Sequence, residues 1–411
     1  MNNFEEYSTK FVQEVGNKEG AVSPVITSSA SFAYGTPEIA EGIFSGNVKK
    51  PLYSRMGNPT TAKLESIMAE MDGGIGAVAT SSGMGATTLA TMSLLSAGDE
   101  IVSIGGLFGG TYSLFSETLT RFGITTHFFD VDEIQEIKDT INENTKIIFL
   151  ESVGNPNMRL PDIKQIAQVA NDSGVALIVD NTITPMSISP LKLGADIVVY
   201  STTKVISGNA SALGGCAVFR AINDGDDKFK TQRYKELHKF IKGAGKMALI
   251  PNAKKRAMRD FGMSANANAS YQTMLGLETL PLRMDRILNS LEIVAHELDK
   301  NGLNINHPCL ESHPHHNRYK NDFSKGCGTL LTIDMGSKEK AFEFLNKTKL
   351  ATLTANIGDS RTLALHMAST IYRDFDDETR GFLGITEGLI RVSIGLENPQ
   401  DIINDFLESA K

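Results

Sequence analysis

Short apolar runs at residues 100–103, 146–150, 176–179 and 197–200 alternate with stretches of helical spacing. None shows the in-and-out alternation of a strand with one wet face, so each reads as a strand buried on both sides. Between two of them, residues 161–171 place Ile163, Ile166, Ala167 and Ala170 on one helical face, with Gly174 just beyond. Strands separated by helices specify an α/β fold with a central, mainly parallel sheet covered on both faces. A ligand of such a sheet lies beyond the carboxyl ends of the strands.

Three regions are expected. Residues 1–58 read as an N-terminal arm, irregular with short elements, because Gly, Pro and Ser are scattered through it. Residues 59–257 carry the strand-and-helix pattern. They open at Asn58-Pro59-Thr60-Thr61, a capped helix start with Leu64, Ile67, Met68 and Met71 on one face and Gly73-Gly74 to stop it. Residues 258–411 form a smaller α+β domain, with a long amphipathic helix over 282–300, strands at 329–334 and 389–393, and helices at 338–345 and 399–409.

A net charge of −8 argues against nucleic acid or an anionic membrane as partner. No apolar run approaches the roughly 20 residues that span a bilayer. The first ten residues hold Glu5 and Glu6 and no apolar run, so no signal peptide is expected. Cys216, Cys309 and Cys327 make no disulfide framework, which fits a reducing, cytoplasmic setting.

Three features carry chemistry. Ser201-Thr202-Thr203-Lys204 follows the run 197–200, so an amine and two hydroxyls lie at a strand's carboxyl end. Val179-Asp180-Asn181-Thr182 puts an acid at the end of another strand, where it can keep a proton on a pyridine nitrogen. Ser81-Ser82-Gly83-Met84-Gly85 leads into a helical pattern, and small residues there let backbone N–H groups approach an anion. Each has a plain alternative: a solvated lysine, a loop acid, an ordinary turn. Together in one α/β unit they describe a phosphate cradle, an amine and a ring-nitrogen partner.

The chain resembles the Cys/Met-metabolism family of pyridoxal 5′-phosphate (PLP) enzymes, over nearly its whole length. The likeness is carried by Tyr53-Ser54-Arg55-Met56-Gly57-Asn58-Pro59-Thr60, residues 81–85, Glu151-Ser152-Val153-Gly154-Asn155-Pro156, residues 179–182, residues 201–204 with Ser207-Gly208, and Leu389-Ile390-Arg391-Val392-Ser393. It implies a fold-type I PLP-transferase of the aspartate-aminotransferase-like kind, residues 59–257 being the PLP-binding domain. It also implies roles. Lys204 carries PLP as a Schiff base, and Asp180 pairs with the ring nitrogen. Ser82, Gly83, Met84, Ser201 and Thr203 hold the phosphate, and Phe108 stacks on the ring. Asn155 lies near the ring oxygen and the substrate, Arg391 clamps the substrate carboxylate, and Thr362 lies near that carboxylate or the lysine. Tyr53 and Arg55 reach the phosphate of a neighbouring subunit, which makes a dimer the smallest complete catalytic unit, and the resemblance further implies a homotetramer built from such dimers. Glu151 is either a supporting group of the site or a structural acid at a strand end.

Within the family the C-terminal half is most similar to O-acetylhomoserine sulfhydrylases, through residues 276–283, His307-Pro308 with His313-Pro314, and Asn356-Ile357-Gly358-Asp359 before His366. The expected reaction is γ-replacement on an O-acylated homoserine, with sulfide or another sulfur donor as second substrate. Two departures bear on it. Phe108 stands where the family usually has Tyr, keeping the stacking face and losing the hydroxyl. Gly110 stands where methionine γ-lyases have Cys. An alkylthiolate leaves better with a general acid, whereas acetate needs little help, so both favour the acylated substrate. The competing readings are a γ-lyase acting on methionine or cystathionine, a cystathionine γ-synthase, and a PLP-binding protein without turnover. His307, His313, His315 and His316 with Cys309 match no regular zinc spacing, so no metal is expected.

Overall fold

The computed structural model describes residues 3–16, 20–223, 225–323 and 325–411. Its larger sheet comprises β1 (Gly76–Thr80), β2 (Glu100–Ile104), β3 (Thr125–Phe129), β4 (Thr145–Glu151), β5 (Ala176–Asp180), β6 (Ile197–Tyr200) and β7 (Gly215–Phe219). They lie in the order β1-β7-β6-β5-β4-β2-β3. Only β7 runs antiparallel, to both β1 and β6.

The uninterrupted apolar runs have a direct cause. Successive side chains of a strand point to opposite faces, and here both faces are covered. Ile148, Leu150, Leu177, Val179, Val198 and Tyr200 enter one core with the helices Pro59–Asp72 and Ile163–Asp172. Ile147, Phe149, Ala176, Ile178, Ile197 and Val199 enter the other, with helix Gly83–Met92. The expected cap is present: the Asn58 side chain accepts from Thr60 N at 2.9 Å, and Gly73 closes the helix at φ 72°.

Asp72, at the end of that helix, is fully buried and accepts from the Tyr200 hydroxyl at 2.7 Å. Burial raises its pKa to about 7 against the opposing bond from Tyr200. A carboxyl raised in the folded state contributes stability at low pH that is lost as pH rises through that value. Asp72→Asn keeps an acceptor for Tyr200 and removes the ionisation. Its melting temperature is therefore expected to exceed the parent's above pH about 7 and to converge with it toward the ordinary carboxylate range.

The second sheet holds β8 (Ile305–Asn306), β9 (Leu330–Asp334), β10 (Thr352–Leu353), β11 (Leu363–His366) and β12 (Leu389–Ser393), in the order β10-β11-β12-β9-β8. Helix Lys338–Lys347 packs on it, and helix Pro399–Ser409 packs on that helix and on the long helix of this domain. The long helix runs over Ala267–Lys300, well before the expected start at 282. Asn266 caps it, and Pro281 sits inside it, where Leu277, Leu280, Met284 and Ile287 stay buried on both sides of the missing N–H. Packing outweighs the proline here. The arm also differs from expectation. Helix Asn3–Val15 buries Phe4, Phe11 and Val15 in the main core, against the long helix.

Candidate active site

The parallel register sets the site. Glu151 and Asp180 are paired neighbours at the ends of β4 and β5, and Ser201 follows β6 directly. Beyond these ends lies a cavity lined by Ser82, Gly83, Met84, Phe108, Glu151, Asn155, Asp180, Ser201, Thr203, Lys204 and Arg391.

Lys204 sits in a tight turn, its carbonyl accepting from Gly208 N at 2.9 Å. The long helix braces this turn. Arg283 donates to the carbonyls of Val205, Ile206 and Gly276, and a Cβ on Gly276 would lie 2.5 Å from Ile206 O. The 276–283 motif is thus a docking face for the lysine turn. The Lys204 amine donates to Asn356 Oδ1 at 2.8 Å. Burial, then the charge of Arg391, pulls its pKa down to about 8.

Asp180 is held by Thr182 N, which donates to Oδ1 at 2.9 Å, and burial raises its pKa. Among the described residues it has no cationic partner, so the cavity faces a buried carboxylate that a protonated ring nitrogen would complete. Glu151 accepts from Phe108 N at 2.7 Å, and burial together with Asp180 pushes its pKa well up. It therefore tethers the segment that carries the Phe108 ring.

The cradle has one tight point. A Cβ on Gly83 would lie 2.5 Å from Ser201 Cβ and 2.8 Å from its Oγ, so only glycine fits. Ser82 is the N-cap of helix Gly83–Met92, its Oγ accepting from Gly85 N at 3.0 Å. That leaves the amides of the first turn to meet an anion. Thr203 Oγ1 donates to Gly214 O at 3.1 Å and accepts from Gly214 N at 3.0 Å, so its hydroxyl is already engaged. Ser201, which lines the cavity, is the hydroxyl of the pair without such a bond among the described residues.

Arg391, on β12, is 2% exposed. Its guanidinium donates to Asn155 Oδ1 at 3.2 Å and to Ala355 O at 3.0 Å, and burial pulls its pKa down to about 10. No carboxylate pairs with it among the described residues. A buried unpaired cation is costly, and an incoming carboxylate would relieve it.

Three further expected residues do not line this cavity, two of them being those expected to serve a neighbouring subunit. Thr362 does not line the cavity: its hydroxyl donates to Glu397 Oε2 at 2.9 Å and accepts from Gly395 N at 3.1 Å, which fixes it as a link between loops. The residue that meets the lysine is Asn356. Tyr53 and Arg55 do not line the cavity either. Tyr53 is 42% exposed, the Arg55 guanidinium lies 5.7 Å over its ring, and Arg55 donates to Arg259 O. Tyr112, the nearest tyrosine in sequence to Phe108, packs on Phe128 and Phe375 at 4.7 and 5.4 Å and does not line the cavity.

The histidines do not converge. His307 holds Cys309 N and faces the Cys327 thiol at 3.3 Å. His315 accepts from Leu160 N and contacts Asp132, while His316 bonds Pro308 O. Among the described residues no group of three His, Cys, Asp or Glu is arranged to hold a metal.

The donor set fits PLP: an amine for its aldehyde, an acid for its ring nitrogen, a glycine-lined helix start for its phosphate, and an aromatic face for its ring. Comparison with known proteins decides the family. Residues 8–411 match the family described as Cys/Met metabolism PLP-dependent enzyme.

The chain belongs to this family.

A homocysteine synthase of Schizosaccharomyces pombe is 38% identical over 87% of this chain and 86% of its own length. An L-methionine gamma-lyase of Fusobacterium nucleatum subsp. polymorphum is 34% identical over 95% and 93%. A crystal structure of a Campylobacter jejuni protein described as an O-acetylhomoserine (thiol)-lyase superposes with a TM-score of 0.94 at 32% identity, covering 98% of this chain and 99% of that one. It carries N′-pyridoxyl-lysine-5′-monophosphate. The protein is therefore a PLP-dependent enzyme of sulfur amino-acid metabolism with the fold-type I architecture. No helix among the described residues is long and apolar enough to cross a membrane.

Proposed function

We propose that this enzyme transfers the four-carbon amino-acid chain of an O-acylated L-homoserine to a sulfur nucleophile, most directly turning O-acetyl-L-homoserine and sulfide into homocysteine and acetate. The relatives named for that substrate or that product support the reading. The observation that carries the choice of reaction is the pairing of Phe108 with Gly110. A Cβ on residue 110 would lie 2.7 Å from Phe108 Cε1, so glycine there lets the ring lie close against the backbone, and a cysteine would make it shift. Phenylalanine offers no proton to a leaving thiolate, and acetate needs none.

When bound, PLP supplies an electron sink for charge developing at the substrate α-carbon. Around it, Asp180 would keep the proton on the ring nitrogen, and Asn155 and Phe108 would help hold the ring. The first-turn amides at Gly83 and Met84, with Ser201, hold the phosphate. Arg391 orients the substrate carboxylate, which fixes the bond at the α-carbon relative to the ring. The Lys204 amine anchors the cofactor between turnovers. Once displaced, it removes the α-proton and moves protons at the β-carbon as acetate departs and sulfide adds at the γ-carbon.

We place the enzyme in the cytoplasm, as a homotetramer of catalytic dimers. All three cysteines are buried and free, and Tyr53 and Arg55 stand exposed where a neighbouring subunit could receive them.

The test is a substrate panel with product analysis. O-acetyl-L-homoserine plus sulfide is expected to give homocysteine far faster than methionine alone gives 2-oxobutyrate; the reverse ranking would establish the γ-lyase reading. Phe108→Tyr restores the phenol, and is expected to raise 2-oxobutyrate release from methionine by about 10²-fold while leaving the acetylated substrate little changed.

A further inference from the structure

We propose that Asn356 is the docking acceptor for the Lys204 amine while substrate occupies the cofactor, a role that rests on reading Lys204 as the anchor. The loop bearing Asn356 is fixed on three sides. Gly358 has φ +66°, and a Cβ there would lie 2.5 Å from Val205 N, so the loop presses against the residue after the lysine. Gly358 N donates to Ser393 Oγ at 2.8 Å, and Ala355 O accepts from Arg391 at 3.0 Å. These contacts set the Asn356 amide oxygen, which accepts from the lysine amine at 2.8 Å.

The chemistry of that bond is one-sided. An amide oxygen only accepts, and a free amine has two or three N–H groups to give it. An amine joined to the cofactor's carbon has at most one. Asn356 therefore stabilises the released amine over the joined one. In the exchange, the C–N bond to Lys204 breaks as the bond to the substrate nitrogen forms, and the two protons given up by the substrate nitrogen end on Nζ, where Oδ1 receives one. Residues 355 and 356 are adjacent, so the loop contacting Arg391 at the substrate's carboxylate also receives the displaced lysine.

The experiment titrates holoenzyme with an α-amino acid lacking a leaving group, L-norleucine, and follows the visible band of lysine-bound PLP. In Asn356→Ala the resting band is expected to persist and the exchange to weaken about ten-fold, the worth of one hydrogen bond to a charged group. Asn356→Asp keeps an acceptor and is expected to exchange at least as readily as the parent. An Ala variant within about two-fold of the parent, well short of the worth of one hydrogen bond to a charged group, or Ala and Asp equally impaired, overturns the proposal, as does loss of the resting band in both. Absence of that band in the parent protein would instead overturn the anchoring role of Lys204.

Discussion

Lys204→Ala is expected to bind PLP without the visible band of the lysine-bound cofactor and to lose turnover by about 10³-fold or more. The size follows from two duties resting on one nitrogen. As anchor, the amine must reach the aldehyde from the turn braced by Arg283. As base, it must give up its proton far more readily than a solvated lysine does. Burial and the Arg391 charge bring it to about 8, far below an exposed lysine. Alanine removes both duties but leaves the phosphate cradle, Asp180 and Phe108 in place, so retained PLP by equilibrium dialysis separates this result from unfolding. An unchanged visible band in this variant would remove Lys204 from the site.

Arg391→Met is expected to lower kcat/KM for the acetylated substrate by about 10²-fold or more, since one partner of a desolvated, hydrogen-bonded charge pair is lost. The guanidinium is buried, and its protein partners are a carbonyl and an amide oxygen rather than an acid. Arg391→Lys is expected to recover little, because an ammonium cannot bind a carboxylate through two parallel bonds. A second readout follows from the same charge. Removing Arg391 takes away a cation that depresses the Lys204 amine, so the pH at which the apoenzyme captures PLP is expected to rise above about 8. An unchanged midpoint would mean the two groups do not interact.

What the sequence made legible, and what it hid, follows from where each contact is made. Strand β6 was readable to the residue because both its faces are buried and its run is unbroken, which put Lys204 at its carboxyl end. Strands β1 and β3 were not. The first is built from small residues, and the second lies at the sheet edge with half-buried side chains, so neither shows a long apolar run. Pro281 concealed the first half of the long helix, because tertiary burial rather than local propensity holds it. The motifs at 81–85, 151–156 and 201–204 place their side chains around one cavity because parallel strands bring their ends together. Thr362 could not be placed from sequence, since its partner Glu397 is brought to it only by the fold. Asn356 was visible as a kinship marker and silent as a contact, because only the fold carries its loop to the lysine.

Reduction of the holoenzyme with borohydride followed by peptide mapping tests the central claim most directly. A stable pyridoxyl group on Lys204 is the result this account requires. The same group on any other lysine, with Lys204 unmodified, would contradict it.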